Sequence, residues 1–213
     1  MPARLRPSAP IAADAVLVGD PGRALLLAQE LLTRPRMANH ARGLWGYSGE
    51  TPEGRPLTVQ STGIGAPSAA LILRDLAELG MRRAIRVGTC AGGGTLGDLL
   101  VVRSALATDT IRDLLSAGAT AEPDPALLAA LAGVGAEAEV ESGGLGPGEG
   151  TAAAHDLQTA ALLALAPRLG VAAAALLIVA ESGAGERLSD EPLEAAAKRA
   201  GRAARAALAS TTA

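Results

Sequence analysis

Residues 15–19 form a short apolar run that passes directly into Asp20, Pro21 and a segment, 24–32, whose leucines and alanines recur at helical spacing. The pattern predicts a strand, a tight turn and a helix. Asp20 is placed to cap that helix, and Pro21 to open it where a missing N–H costs nothing. The arrangement then repeats: residues 57–61 read as a strand, Thr62-Gly63-Ile64-Gly65 as a turn, and the segment from Pro67 as a helix with Ala69, Ile72, Leu73, Leu76 and Leu79 on one face. Gly80 is its natural C-cap. Residues 84–88 and 99–107 predict two further strands around a glycine-rich turn. Between 108 and 150 the pattern weakens to a helix near 126–131, a strand near 136–140 and a glycine-rich loop, 143–150, expected to be mobile. A helix over 156–169 capped by Gly170, a strand over 172–179 and a last helix opening near Asp190 complete the chain. Strands alternating with helices predict one α/β domain over residues 1–213, three-layered, with a central mixed and mostly parallel twisted sheet flanked by helices.

Composition narrows the function. The 213 residues suit one α/β unit with a sizeable core. With 19 basic and 22 acidic residues spread along the chain, the net charge of −3 gives no footprint for nucleic acid or an anionic membrane. The longest apolar run, 171–180, is too short to cross a bilayer, and the first ten residues carry no apolar signal core. A soluble, cytoplasmic protein with a small-molecule partner is expected. The single cysteine, Cys90, excludes an internal disulfide framework. There is no phenylalanine, and one tryptophan and one tyrosine, so aliphatic side chains must fill the core. In the last helix, acidic Asp190, Glu191 and Glu194 precede basic Lys198, Arg199, Arg202 and Arg205, which complements the helix dipole and reads as an ordinary solvated face.

Several residues could carry chemistry. Arg23 sits in the first turn of a helix, where a cation opposes the dipole unless an anion binds there; the alternative is a side chain in water. Arg86 lies between Ile85 and Val87 in a buried strand, and needs either an acidic partner or a bound anion. Its place just before Gly88 and Thr89, at the carboxyl end of the strand, favours the anion. Arg42 stands in a polar stretch that reads as a surface loop. Cys90 has no base at useful spacing, since His40 and His155 are the only histidines, and it reads as a buried structural thiol. Residues 88–94 do not make a dinucleotide fingerprint, so no nicotinamide cofactor is expected. No metal is expected either: the histidines are far apart and no carboxylates have ligand spacing.

Four segments together resemble the nucleoside phosphorylases of the uridine phosphorylase and hexameric purine nucleoside phosphorylase type. They are Gly19-Asp20-Pro21-Gly22-Arg23, Arg42-Gly43-Leu44-Trp45-Gly46-Tyr47-Ser48-Gly49, Ser61-Thr62-Gly63-Ile64-Gly65-Ala66-Pro67-Ser68 and Ile85-Arg86-Val87-Gly88-Thr89-Cys90. The likeness covers residues 11–110 and resumes from Asp156. It implies an inorganic phosphate co-substrate held by Gly19, Arg23, Arg42, Arg86, Gly88 and Thr89, with Arg86 also catalytic. It implies ribose contacts at Leu157 and Gln158. Where purine-active members carry Ser-Asp, this chain has Ala180-Glu181, and Glu181 could protonate or orient the departing base or stand in solvent. Where the family has Asp-Met-Glu, this chain has Asp156-Leu157-Gln158, an amide in place of a carboxylate. The family's N-terminal histidine has no counterpart in residues 4–10, and its base-stacking phenylalanine is missing. The implied reaction is phosphorolysis of a nucleoside to free base and ribose 1-phosphate, with uridine-type substrates slightly favoured by the Ser-Thr-Gly-Ile-Gly stretch and purines possible. The alternatives are a non-catalytic phosphate or nucleoside binder and a hydrolytic nucleosidase, against which three retained arginines count. The resemblance also implies a homo-oligomer, a dimer or a trimer of dimers, in which Arg42 reaches a neighbour's site.

Overall fold

The computed structural model describes residues 4–116, 118–143 and 152–211; beyond Gly143, the 143–150 loop lies outside them. The chain opens with β1 (Asp14–Val18) and α1 (Pro21–Leu31). Asp20 accepts the Arg23 N–H at 2.7 Å, so the helix start is specified locally, as the sequence predicts. Two strands then follow that the sequence pattern does not show, β2 (Thr33–Asn39) and β3 (Gly46–Glu50). Next come β4 (Pro56–Ser61), α2 (Gly65–Glu78), β5 (Arg83–Gly92) and β6 (Leu99–Ala107). The weakly patterned middle holds α3 (Asp109–Leu115), the short β7 (Thr120–Ala121), α4 (Pro125–Ala130) and β8 (Ala136–Ser142).

The helix expected over 156–169 is shorter than its pattern. Asp156 ends a strand, β9 (Ala154–Asp156), and α5 (Thr159–Leu165) begins three residues later. The reason is a side chain competing with the helix. The Asp156 carboxylate accepts the Thr159 N–H at 3.1 Å and the Gln158 N–H at 3.3 Å, an arrangement that caps a helix but cannot lie inside one. A 3-10 turn (Pro167–Leu169) leads to β10 (Ala172–Glu181), and α6 (Asp190–Ser210) closes the described chain.

One mixed sheet contains all ten strands. Its centre, β4-β1-β5-β10, is parallel, as βαβ connections require. The expectation of a mostly parallel sheet is corrected by the rest. Strands β2, β3 and β4 follow one another through short connections and pair antiparallel, β6 runs antiparallel to β10 and β7, and β9 antiparallel to β5. Among the described residues, five pairings are parallel and five antiparallel.

Strand β5 organises the whole. Along Arg83–Arg86 its edge is taken by β1, and at Ala91 and Gly92 the same edge is taken by β9. Because β9 pairs β8, β8 pairs β6, β6 pairs β10 and β10 pairs β5, the far half of the sheet closes on itself. Gly92 makes the bend possible: φ is +74°, and a Cβ there would stand 2.4 Å from the Ala153 carbonyl oxygen.

Alternation along β1 places Val16 and Val18 on one face with Leu27 and Leu31 of α1 and the alanines of α6. Ala15 and Leu17 face the other way, into Ile72, Leu73 and Leu76 of α2 and Leu162 of α5. Helices thus cover both faces. At the amino ends of the central strands, Arg83 grips Asp14 through two bonds of 2.7 and 2.6 Å and reaches Thr211 beyond α6. Among the described residues no helix is long and apolar enough to cross a membrane.

Candidate active site at the carboxyl ends of the parallel strands

Strands β1, β5 and β10 point their carboxyl ends the same way, and the residues following them converge. Arg86 is the centre. It is 6% exposed, and each branch of its guanidinium is engaged: Nη2 donates to Asp156 Oδ2 at 2.8 Å, Nη1 to Gln158 Oε1 at 2.8 Å and Nε to Thr159 Oγ1 at 3.1 Å. Of the two partners the sequence allows for Arg86, the structure supplies the acidic one, Asp156, rather than the anion that its place in the strand favours. Gly88 is what lets the guanidinium lie against its own strand. A Cβ at position 88 would stand 2.6 Å from Arg86 Cζ and 2.7 Å from Leu177 Cδ2.

Asp156 is itself saturated. Besides Arg86 and the two backbone N–H groups, it accepts from Thr159 Oγ1 at 2.7 Å and from Ser142 Oγ, whose oxygen in turn accepts the Ala160 N–H at 3.0 Å. Gln158, 3% exposed, is equally occupied. Its Oε1 lies 3.1 Å from the Thr62 hydroxyl, and its Nε2 donates to Gly63 O at 2.7 Å and Gly65 O at 3.3 Å. Gly19 adjoins this cluster: a Cβ there would lie 3.4 Å from Gly63 O and 3.9 Å from Gln158 Oε1. The structure therefore gathers Gly19, Thr62, Gly63, Arg86, Asp156, Gln158 and Thr159 from four separate stretches of chain.

Arg23 is different in kind. Its guanidinium makes no hydrogen bond or ion pair to any described residue, and burial holds its pKa below the ordinary arginine value, with the Asp20 carboxylate opposing and the neighbouring Arg86 cation adding to the depression. A partly buried cation beside a second cation, in the first turn of a helix, is an electrostatic arrangement that an anion would relieve. The Thr89 hydroxyl, two residues beyond Val87, also has no partner among the described residues. Leu157 is 39% exposed.

Two predicted residues stand apart from the hydrogen-bonded cluster. Arg42 is exposed in a left-handed conformation, φ 60°, within a 3-10 turn (Ala41–Gly43). It has no partner among the described residues. Glu181 follows an irregularity in the β5–β10 register, and its carboxylate accepts a hydrogen bond from Arg187 Nε at 3.1 Å. Cys90 behaves as the buried structural thiol that the sequence suggests. Burial is the main cause of a pKa pushed up to about 12, with Asp156 raising it further and Arg86 opposing.

Thr159 and Ser142 are functional neighbours that sequence reasoning missed. The available signal was the buried arginine itself, which needed an acid or an anion, and Asp156 beside an apolar helical segment, where a carboxylate can cap.

The sequence model of the Phosphorylase superfamily matches residues 14–144, which include β1 to β8 and the Gly19, Arg23 and Arg86 positions. The chain belongs to the phosphorylase superfamily. Within that superfamily it is 38% identical over 114 residues to the DeoD-type purine nucleoside phosphorylase of Latilactobacillus sakei subsp. sakei (strain 23K), a match covering 51% of this chain and 48% of that protein. It is 41% identical over 81 residues to the DeoD-type purine nucleoside phosphorylase of Oceanobacillus iheyensis (strain DSM 14371 / CIP 107618 / JCM 11309 / KCTC 3954 / HTE831), covering 38% of this chain and 34% of that one. The matches thus span about half, or less, of these relatives. The fold is similar to that of purine nucleoside phosphorylase from Toxoplasma gondii in complex with immucillin-H, with a TM-score of 0.81 over 92% of this chain and 90% of that chain at 20% identity.

Proposed function

We propose that this phosphorylase-superfamily chain cleaves a purine nucleoside with inorganic phosphate, giving free base and ribose 1-phosphate. The observation that carries the reading is Arg23, a partly buried guanidinium without a partner among the described residues, set at a helix N-terminus beside Arg86. Phosphate would bind between Arg23, the Thr89 hydroxyl and the backbone around Gly19 and Gly88, with Arg86 held in place by Asp156 and Arg42 supplied from a neighbouring copy. The bound dianion then attacks the anomeric carbon as the base departs, and the arginines orient it while the positive charge developing on the ribose lies against it. The purine preference is supported by the relatives matched, which are purine enzymes, and replaces the slight leaning to uridine-type substrates. Leu157 and Gln158 border the ribose. Exposed Met37, Trp45 and Ile64 support association into a homo-oligomer, as does Arg42, which is exposed and has no partner among the described residues.

A non-catalytic binder is the second reading, favoured by one observation: the Gln158 amide is fully occupied by Arg86, Thr62, Gly63 and Gly65. A water-using hydrolase has no need of the Arg23 cation. Phosphate binding tests the shared basis of the first two readings. Arg23→Ala is expected to weaken phosphate at least about 10-fold by titration calorimetry, the order expected for a lost hydrogen bond to a charged group. Unchanged affinity would remove Arg23 from the site.

A further inference from the structure

A polar pair on the sheet is left unused by the reading above. Glu141 of β8 and His155 of β9 are cross-strand partners, and Ala91 of β5 and Glu181 of β10 continue the same row. Neighbouring residues fix which face they occupy. Val140, Ala154 and Cys90 pack into the core shared with α2 and α5, and Ser142 and Asp156 bond each other and the start of α5. The alternate positions, Glu141, His155 and Ala91, therefore face the other way, together with Thr89 two residues back along β5. This is the face on which the phosphate contact at Thr89 was placed.

The pair is incomplete as it stands. His155 Nδ1 and Glu141 Oε2 lie 4.0 Å apart, both atoms are enclosed, and neither has a hydrogen-bond partner among the described residues. Glu141 is 8% exposed. A carboxylate and an imidazole nitrogen left enclosed without partners are costly in a finished core and are common where a ligand completes a site. His155 Nε2 makes no hydrogen bond to a described residue either, so it is free to face a ligand. Across the row, only the Ala91 methyl separates His155 from Glu181, two strand spacings or roughly 10 Å away. The Glu181 carboxylate is already engaged by Arg187.

We propose that His155, oriented by Glu141, is the proton donor to the departing purine, an inference that rests on the phosphorolytic reading. As the C1′–N9 bond breaks and its electron pair enters the ring system, the Nε2 proton of a protonated His155 passes to N7 of the base. The phosphate oxygen forms the new bond to C1′, His155 is left neutral, and it regains its proton from water. Glu141 acts through the histidine: its carboxylate fixes the Nδ1–H and balances the imidazolium charge, closing the present gap by about 1 Å to hydrogen-bond length. Glu181, on the far side of Ala91, borders the base without donating the proton.

The test compares inosine with 7-methylinosine, whose base is already cationic and leaves without a proton. His155→Ala is expected to lower kcat for inosine on the order of 100-fold, and Glu141→Gln on the order of 10-fold, each with KM little changed; kcat for 7-methylinosine changes less than about threefold. Equal losses on both substrates, or no loss on inosine, overturn the proposal. Absence of wild-type turnover on both substrates defeats the phosphorolytic reading instead. The base contact is then decided by the His155 Nε2 nitrogen resonance on adding hypoxanthine, which must move if His155 meets the base and overturns the inference if it does not.

Discussion

A guanidinium in the middle of a buried strand is a demand that the sequence states and does not answer. Arg86 needed an acid or an anion; its place before Gly88 and Thr89 favoured the anion, whereas the structure supplies an acid, Asp156, from 70 residues away, where no local spacing could reveal it. The same distance hid Thr159 and Ser142. Residues whose role is set within a few positions were legible: Asp20 as a cap, Gly19 beside the turn, Cys90 as a thiol without a base. The thiol gives a test at this scale. With its pKa pushed up to about 12, chiefly by burial, Cys90 carries almost no thiolate at neutral pH, and the fraction rises only as pH climbs toward that value. The native protein at pH 8 is therefore expected to resist a thiol-alkylating reagent, and one thiol per chain to react after denaturation. Rapid alkylation of the folded protein would show that the Cys90 environment is open.

Elements with their own punctuation were readable, and those lacking it were not. Helix α1 is announced by Asp20-Pro21, and α2 by its apolar spacing. Strand β2 begins Thr33-Arg34-Pro35-Arg36, with no alternation to reveal it, and gains its partner only from β3. Strand β9 is three residues long and merges in sequence with the helix that follows. At α1 the cap and the proposed site share atoms. Asp20→Ala removes the acceptor of the Arg23 N–H and is expected to cost about 1 kcal/mol of stability in denaturant titration. It also removes a negative charge next to Arg23 and frees an N–H, so phosphate affinity should hold or rise while stability falls. A parallel loss of both would contradict an anion site at this helix end.

At the scale of the molecule, the α/β class and the covering of both sheet faces followed from alternating strands and helices. The even division between parallel and antiparallel pairings did not, because the closure of β5, β9, β8, β6 and β10 depends on pairings distant in sequence. The fold also separates stability from chemistry along its strands. The Arg83–Asp14 pair lies at the amino ends of β5 and β1, and the proposed site at their carboxyl ends. Asp14→Ala leaves Arg83 buried without its acid and is expected to destabilise the protein by roughly 3–5 kcal/mol, read from its denaturant midpoint, with phosphate affinity unchanged. Arg23→Ala should do the reverse. The central claim, that these strand ends bring phosphate to a purine nucleoside, is tested most directly by release of hypoxanthine from inosine as phosphate is varied, for the wild type and Arg23→Ala. A saturating dependence on phosphate, with the half-saturating concentration raised at least about 10-fold by Arg23→Ala, is the predicted result. Release that does not depend on phosphate, or a dependence untouched by removing Arg23, would contradict it.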